Sequence, residues 1–249
     1  MNIDLSINLD FRVDTDDIEF DDIVGHFNYL SNEFGSLLPI QPDWYETGYS
    51  RKQVLEHVAF NKNRITEETY QKWLKRYAKD APLFVESVWD GKDDDCSSGV
   101  SYRKMFFDEK NRIVVNSELN IPSGGLTVAK IFNLISNVAN EFKCSHISLE
   151  TKGYTFHGRN VFPDRLSSGW MLYIPHVVLP ELIPEAARVV PVMDGEKQKG
   201  TIIVSTEEIF DGNNKEHIGK ANDGNDSNLL IVFYVQIMPD DFVMQLHRF

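Results

Sequence analysis

The sequence predicts an α+β fold, a single domain with a largely antiparallel sheet and helices packed on it. Residues 3–13 alternate strictly between apolar and polar side chains, which is typical of a strand with one buried face. Farther along, predicted strands and predicted helices each occur in groups, with little regular alternation, and this favours α+β over a parallel α/β fold. With 249 residues and 42% hydrophobic content, the chain is long enough to bury a sizeable core.

Helical periodicity predicts five helices. Acidic residues crowd the opening turns of the first helix, where the helix dipole favours them, and Thr15 or Asp16 can cap it. Ser50 is placed to cap the second. The last helix is short and places His217 half exposed. The predicted ranges are 14–34, 50–60, 66–79, 123–142 and 214–222.

Apolar, β-branched runs separated by turn-forming residues predict the remaining strands. Residues 188–206 predict a hairpin, with Gly195 and Gly200 on either side of an exposed, charged turn. We expect the charges of that turn to be solvated rather than catalytic. The strand-like runs after the first are 82–91, 98–107, 112–119, 145–150, 169–175, 187–194, 200–206 and 229–235.

The chain is strongly acidic, and its charge is unevenly distributed. It has 38 Asp and Glu against 25 Lys and Arg, a formal net charge of −13 at pH 7. Residues 1–46 hold 11 acidic side chains and one basic one, whereas residues 51–79 hold eight basic and three acidic. Such a chain repels a nucleic-acid backbone and attracts a basic protein surface. An ordinary acidic soluble surface explains the same charge equally well.

The sequence contains no motif that predicts catalysis or a metal site. Its seven histidines are scattered, without a pair at metal-ligand spacing, and Cys96 and Cys144 fit no zinc motif or disulfide framework. No Gly-x-Ser-x-Gly nucleophile elbow occurs. We therefore expect no catalytic residue, no metal and no cofactor, and a binding role in place of an enzymatic one.

The sequence shows no targeting or membrane-spanning segment. No run approaches the roughly 18–20 apolar residues that a membrane-spanning helix needs. Residues 1–10 have neither the basic start nor the apolar block of a signal peptide. We therefore expect a cytoplasmic protein with no membrane partner.

Three segments of the sequence carry recognisable motifs. They are "WYETGYSRKQVLEHVAF" at 44–60, "LFVESVWDGKD" at 83–93 and "IPEAARVVPVMDGEKQKGTIIVSTEEIFDGNNKEHIGKAN" at 183–222. In these segments the chain resembles the immunity protein 52 family of bacterial polymorphic toxin systems. The similarity extends over about residues 40–222, and the last segment follows the order of the family's C-terminal block. Residues 223–249 depart from it, within what we expect to be one immunity-protein-like domain over 1–249.

The resemblance implies a cytoplasmic antitoxin without catalytic activity, which binds and neutralises a cognate secreted toxin. It further implies that the toxin is a DNase of restriction-endonuclease fold delivered by type VI secretion. Such a toxin has a basic DNA-binding surface, so carboxylates would speed association and aromatic anchors would supply affinity. Core packing is the competing role for the tryptophans. The candidate partner-binding residues are Asp16, Asp17, Asp21, Asp22, Trp44, Tyr45, Trp89, Asp90, Asp93, Asp94 and Asp95.

Two other classes of protein remain open at this point. An enzyme could assemble its site from scattered residues, and a cleft that collects two carboxylates and a histidine would favour it. A structural or adaptor protein of a secretion apparatus would instead form a symmetric oligomer through a large apolar interface. The residues alone do not separate these alternatives from an inhibitor.

Overall fold

The structure is a computed structural model in which the chain divides into two compact units, residues 1–147 and 148–249. Both units combine antiparallel strands with helices, which confirms the α+β class. That the whole chain forms a single domain stays a prediction. The residues that the structure describes are 2–13, 18–48, 50–61, 64–80, 83–107, 110–154 and 169–226.

The strands of the first unit are β1 (Asn2–Val13), β2 (Trp44–Glu46), β3 (Val58–Asn61), β4 (Arg64–Ile65), β5 (Phe84–Trp89), β6 (Gly99–Phe107), β7 (Lys110–Pro122) and β8 (Cys144–Thr151). The first residues of β8, which continues into the second unit, lie beside β1. The predicted first strand is confirmed, because its alternate side chains Leu5, Ile7, Leu9 and Phe11 are buried. From β1 onwards the strands follow the order β1-β7-β6-β5-β2-β3-β4, with antiparallel pairing throughout this series.

Four α-helices belong to the first unit as described: α1 (Phe20–Gly35), α2 (Arg51–Val54), α3 (Glu67–Asp80) and α4 (Val128–Glu141). Short 3-10 turns occupy Asp94–Cys96 and Ser123–Gly125. The prediction that Thr15 or Asp16 caps the first helix is wrong, because α1 begins after Glu19. There the side chain of Asp22 accepts a hydrogen bond from the Glu19 amide at 3.2 Å and closes a capping box.

The second predicted helix is shorter than the sequence indicates. Ser50 caps it as expected, accepting a hydrogen bond from the Gln53 amide at 3.4 Å, but α2 ends at Val54. Residues 58–61 form β3 instead, paired with both β2 and β4. The ring of Phe60 stacks on Phe27 of α1 with centroids 5.2 Å apart, so tertiary packing overrides the local helical pattern.

An aromatic core joins the helices to one face of this sheet. Phe27 of α1 and Trp73 of α3 contact each other, with ring centroids 5.3 Å apart, and Phe27 lies 5.6 Å from Tyr102 of β6. Trp73 also reaches Phe84 of β5 at 6.1 Å. These rings are all at most 3% exposed, so this face of the sheet is buried.

The opposite face of the sheet carries polar side chains. Asn8, Asn116, Ser101 and Ser87 form one row across β1, β7, β6 and β5, as their pairing registers show. The hydroxyl groups of Ser87 and Ser101 lie 3.0 Å apart along this row. The strands alternate between buried and accessible positions, so this face is the accessible one within the first unit.

The second unit contains β9 (Met171–Ile174), β10 (Arg188–Asp194), β11 (Lys197–Val204) and α5 (Lys215–Asp226), with a 3-10 turn at Pro180–Leu182. Its strand order is β10-β11-β9-β8. The predicted hairpin is confirmed, with Gly195 in its turn at φ +60°. Gly200 does not border the turn but lies inside β11, where an added Cβ would come 2.4 Å from the Ile174 carbonyl oxygen. The predicted strand at 229–235 lies outside the described residues.

Candidate functional site

The charged block at residues 207–222 surrounds a buried histidine. His217 is 5% exposed, so the prediction that it is half exposed is wrong. Its Nδ1 accepts a hydrogen bond from the Asp211 amide at 3.0 Å, and its Nε2 lies 3.3 Å from a carboxylate oxygen of Glu208. The amide contact requires an unprotonated Nδ1, so Nε2 carries the proton that points to Glu208. Through these two contacts, the imidazole connects the turn that contains Glu208 and Asp211 to α5.

The same block packs against the turn at residues 151–154. Phe210 is buried and meets the ring of Tyr154 edge to face, with centroids 5.2 Å apart. The Gly212 amide donates to the Thr151 hydroxyl at 3.1 Å, and a Cβ at Gly212 would lie 2.2 Å from the Tyr154 nitrogen. The segment at 207–222 therefore has a structural role in the second unit. Within the described parts of the chain, no group of three His, Cys, Asp or Glu side chains is placed to hold a metal ion.

Two of the candidate aromatic residues form a pair at the end of the accessible sheet face. Tyr45 of β2 and Trp89 of β5 lie opposite each other in register, with ring centroids 6.4 Å apart. Both are half-buried, and the Trp89 indole donates to the Glu46 carbonyl at 3.2 Å. Trp44 points to the other side of β2 and is 1% exposed, so it belongs to the core and has no surface to offer a partner.

The loop that joins β5 to β6, residues 90–98, is built around a buried carboxylate. The side chain of Asp90 accepts hydrogen bonds from the amides of Ser98 at 3.0 Å and Lys92 at 3.3 Å. It also forms an ion pair with the Lys92 ammonium at 3.0 Å. Asp90 was expected among the exposed carboxylates of the loop tip. It instead holds the two ends of the loop together, because it satisfies amides that the hairpin leaves unpaired.

An arginine that the sequence analysis missed holds the tip of this loop. Arg51 of α2 forms an ion pair with Asp93 and donates to the Gly91 carbonyl at 3.2 Å. Gly91 has φ +75°, and a Cβ there would come 2.8 Å from the Tyr45 ring. Arg51 lies 42 residues from Asp93 in the chain, so only the excess of basic residues over 51–79 pointed to such a contact.

The remaining carboxylates of the loop face solvent. Asp94 and Asp95 form the 3-10 turn at the tip, are exposed, and make no ion pair with any residue that the structure describes. Leu55, 39% exposed, lies beside Gly91 and extends the aromatic pair. We call the surface formed by Tyr45, Leu55, Trp89, Asp94 and Asp95 the rim surface. Its apolar side chains Tyr45 and Leu55 lie beside Gly91, which belongs to the same loop as the two exposed carboxylates.

The other candidate carboxylates lie elsewhere on the first unit. Asp21 and Asp22 are exposed in the first turn of α1, on the helix-covered side of the sheet. Asp21 accepts a hydrogen bond from the Tyr70 hydroxyl at 2.6 Å. Both line a cleft beside α1 and are not part of the rim surface. Asp16 and Asp17 lie outside the described residues.

Comparison of the chain with models of known protein families finds no match, and comparison with curated proteins finds none either. None of the helices described above is both long enough and apolar enough to cross a membrane. The function is therefore argued from the rim surface and from the sequence.

Proposed function

We propose that this chain is an immunity-type inhibitor, which binds a cognate secreted toxin through the rim surface of its first unit. The observation that carries the proposal is the loop at 90–98, fixed from inside by Asp90 and from outside by Arg51. Because the loop is fixed, Asp94 and Asp95 are held in the same loop as Gly91, which lies beside the Tyr45 ring, before any partner arrives. A preorganised loop loses less conformational entropy on binding than a flexible one.

The chemistry of the rim surface suits a basic protein partner. Aromatic side chains that become fully desolvated supply most of the affinity in protein interfaces, and nearby charges raise the association rate. A DNase needs a basic groove for its substrate, and an acidic inhibitor can occupy or cover that groove. The chain's net charge of −13 and its resemblance to the immunity protein 52 family point to the same partner. Such an inhibitor acts in the cytoplasm of the producing cell and needs no cofactor.

The direct test is protection of a bacterial host. The chain is co-expressed with the toxin that we expect a neighbouring gene to encode, and growth is compared with that of cells expressing the toxin alone. We expect co-expression to restore growth and the purified proteins to form a complex. A stable complex without restored growth would contradict inhibition, and the absence of both would contradict the proposal as a whole.

A pair of charge reversals tests the place of binding. Asp94→Lys with Asp95→Lys should abolish protection, because the two lysines would face a basic toxin. Glu185→Lys with Glu207→Lys makes the same change in net charge at exposed positions of the second unit, and we expect it to leave protection intact. Equal loss of protection in both variants would show that net charge matters and the rim surface does not.

A further inference from the structure

A gap interrupts one row of side chains on the accessible sheet face of the first unit. The row lies beside the serine and asparagine row described above. Its members, in order, are Tyr45 of β2, Trp89 of β5, Gly99 of β6, Glu118 of β7 and Ser6 of β1, as the pairing registers show. Gly99 contributes no side chain, and strands lie about 4.7–4.9 Å apart, so the backbones of Trp89 and Glu118 are about 10 Å apart. We call the space over Gly99, between these two residues, the Gly99 notch.

The notch is open because the tryptophan leans away from it. An aromatic side chain directly opposite a glycine in a sheet can cover that glycine. Here a Cβ at Gly99 would have only the Val88 carbonyl oxygen within 4 Å among the described residues, at 3.2 Å. The Trp89 ring therefore leaves the space over Gly99 empty. Its indole N–H donates instead to the Glu46 carbonyl of β2 at 3.2 Å, on the side of Tyr45.

Both walls of the notch are held in place by the fold. The hydrogen bond to Glu46 fixes the indole on one side. On the other side, the Ser6 hydroxyl donates to the Glu118 carboxylate and lies 2.6 Å from each of its oxygens. Strand side chains stand roughly perpendicular to the sheet, so the indole and the carboxylate rise on either side of Gly99. The free protein therefore presents both groups in a fixed arrangement.

The charge of Glu118 is not neutralised within the described parts of the chain. Glu118 is exposed and forms no ion pair with any residue that the structure describes. Arg103 of β6 is on the same sheet face and is also exposed. It lies two rows farther along the strand, however, about 13 Å from Gly99. The notch is therefore a local site of negative charge beside an aromatic ring.

This combination selects a cationic group. A carboxylate attracts a cation by charge, and an indole attracts it through the negative face of its π-system. An anionic group would be repelled by Glu118, and an apolar group would desolvate the carboxylate without pairing with it. Lysine and arginine carry their charge on an alkyl stem that can pack along apolar surface such as Trp89. Their side chains therefore suit both walls.

We propose that the Gly99 notch receives the side chain of a lysine or arginine from the protein partner that binds the rim surface. Trp89 belongs to both, so one partner can contact the rim surface and the notch at the same time. Exposed carboxylates such as Asp94 and Asp95 mainly speed association, whereas a side chain seated between two fixed walls sets the register of the complex. The partner rests on the proposed function. The preference for a cation follows from Trp89 and Glu118.

The test uses the full chain, labelled with ¹⁵N, and three small probes. N-acetyl-arginine amide, N-acetyl-lysine amide and the uncharged N-acetyl-citrulline amide are titrated at millimolar concentrations. The indole N–H signal of Trp89, assigned by its loss in Trp89→Phe, reports on the notch. We expect this signal and the backbone amides around Gly99 to shift saturably with at least one cationic probe. The citrulline probe should bind several-fold more weakly, since it lacks the charge. Comparison of the two cationic probes shows whether arginine or lysine fits better.

Matched charge variants locate the binding. Glu118→Gln keeps an acceptor for the Ser6 hydroxyl and removes the charge, so it should weaken binding of the cationic probe several-fold. Glu141→Gln removes an equal charge at the exposed end of α4, outside the notch, and should leave binding unchanged. Gly99→Val fills the notch and should abolish binding. Because its Cβ also approaches the Val88 carbonyl, thermal unfolding of this variant is measured as well, and the two glutamate variants decide the outcome if it does not fold.

Three results would overturn the proposal: no saturable shift of the Trp89 indole signal with either cationic probe, equal affinity for the citrulline probe, or equal affinity in the two glutamate variants. The outcome is distinct from that of the growth test. Cation binding in the notch without protection would refute the toxin inhibitor and leave the notch in place. Protection without cation binding would refute the notch alone.

Discussion

The loop at 90–98 and the block at 207–222 look alike in sequence and differ in structure. Each is a short, polar, acidic segment with glycine and aspartate at its turns. In the block, His217 turns inward: it is buried and accepts a hydrogen bond from the Asp211 amide. In the loop, Asp90 turns inward and Asp94 and Asp95 remain outside. The block uses a buried imidazole to hold itself together, whereas the loop combines a buried structural carboxylate with two exposed ones.

This difference shows that charge density does not identify a binding segment. What distinguishes a structural polar group from an available one is whether its partner lies within the fold. A polar group that is already satisfied by backbone amides has little left to offer a partner, and removing it destabilises the segment. A charge without a partner contributes little to stability and can be removed without harm.

The largest effect is expected in the block. Phe210→Ala should lower the free energy of unfolding by about 3–5 kcal/mol, because it removes a buried ring and leaves a cavity beside Tyr154. Urea denaturation would measure the loss. As a control, Glu207→Ala changes an exposed residue of the same segment and should stay within about 0.5 kcal/mol. A loss below about 1 kcal/mol for Phe210→Ala would show that the block is not a structural lock.

Local patterns of the sequence predicted much of the fold. The first strand, the hairpin predicted at 188–206 and the helix predicted at 123–142 are confirmed, because each depends on a periodicity within a few neighbouring residues. Where the prediction was wrong, contacts with residues distant in the sequence determined the secondary structure. Residues 58–61 form a strand because β2 and β4 pair with them.

The candidate site could be predicted only in part, for the same reason. Trp44 and Tyr45 are neighbours in the chain, yet strand alternation sends one to the core and the other to the rim surface. The composition of the acidic loop was evident from the sequence, but the separate roles of Asp90 and Asp93 depend on Ser98 and Arg51.

The second prediction concerns the carboxylate inside the loop. Asp90→Ala should lower the free energy of unfolding by about 1–3 kcal/mol, because it leaves the Ser98 amide without an acceptor in a buried position. Asp90→Asn keeps an acceptor oxygen and should cost less than half as much. Urea denaturation of both variants would measure the difference. Equal losses would mean that the charge of Asp90, rather than its hydrogen bonds, stabilises the loop.

The smallest effect on stability, and the sharpest on binding, is expected at the tip of the loop. Asp94→Asn with Asp95→Asn should change the free energy of unfolding by no more than about 0.5 kcal/mol, since both residues are exposed and make no ion pair with a described residue. Association with the toxin should nevertheless slow several-fold at low ionic strength and depend less steeply on salt. Stopped-flow association rates across a salt series would measure this. Glu185→Gln with Glu207→Gln removes the same charge from the second unit and should leave the rates unchanged. If the two double variants slow association equally, the toxin responds to the net charge of the protein and the loop has no special place in its binding.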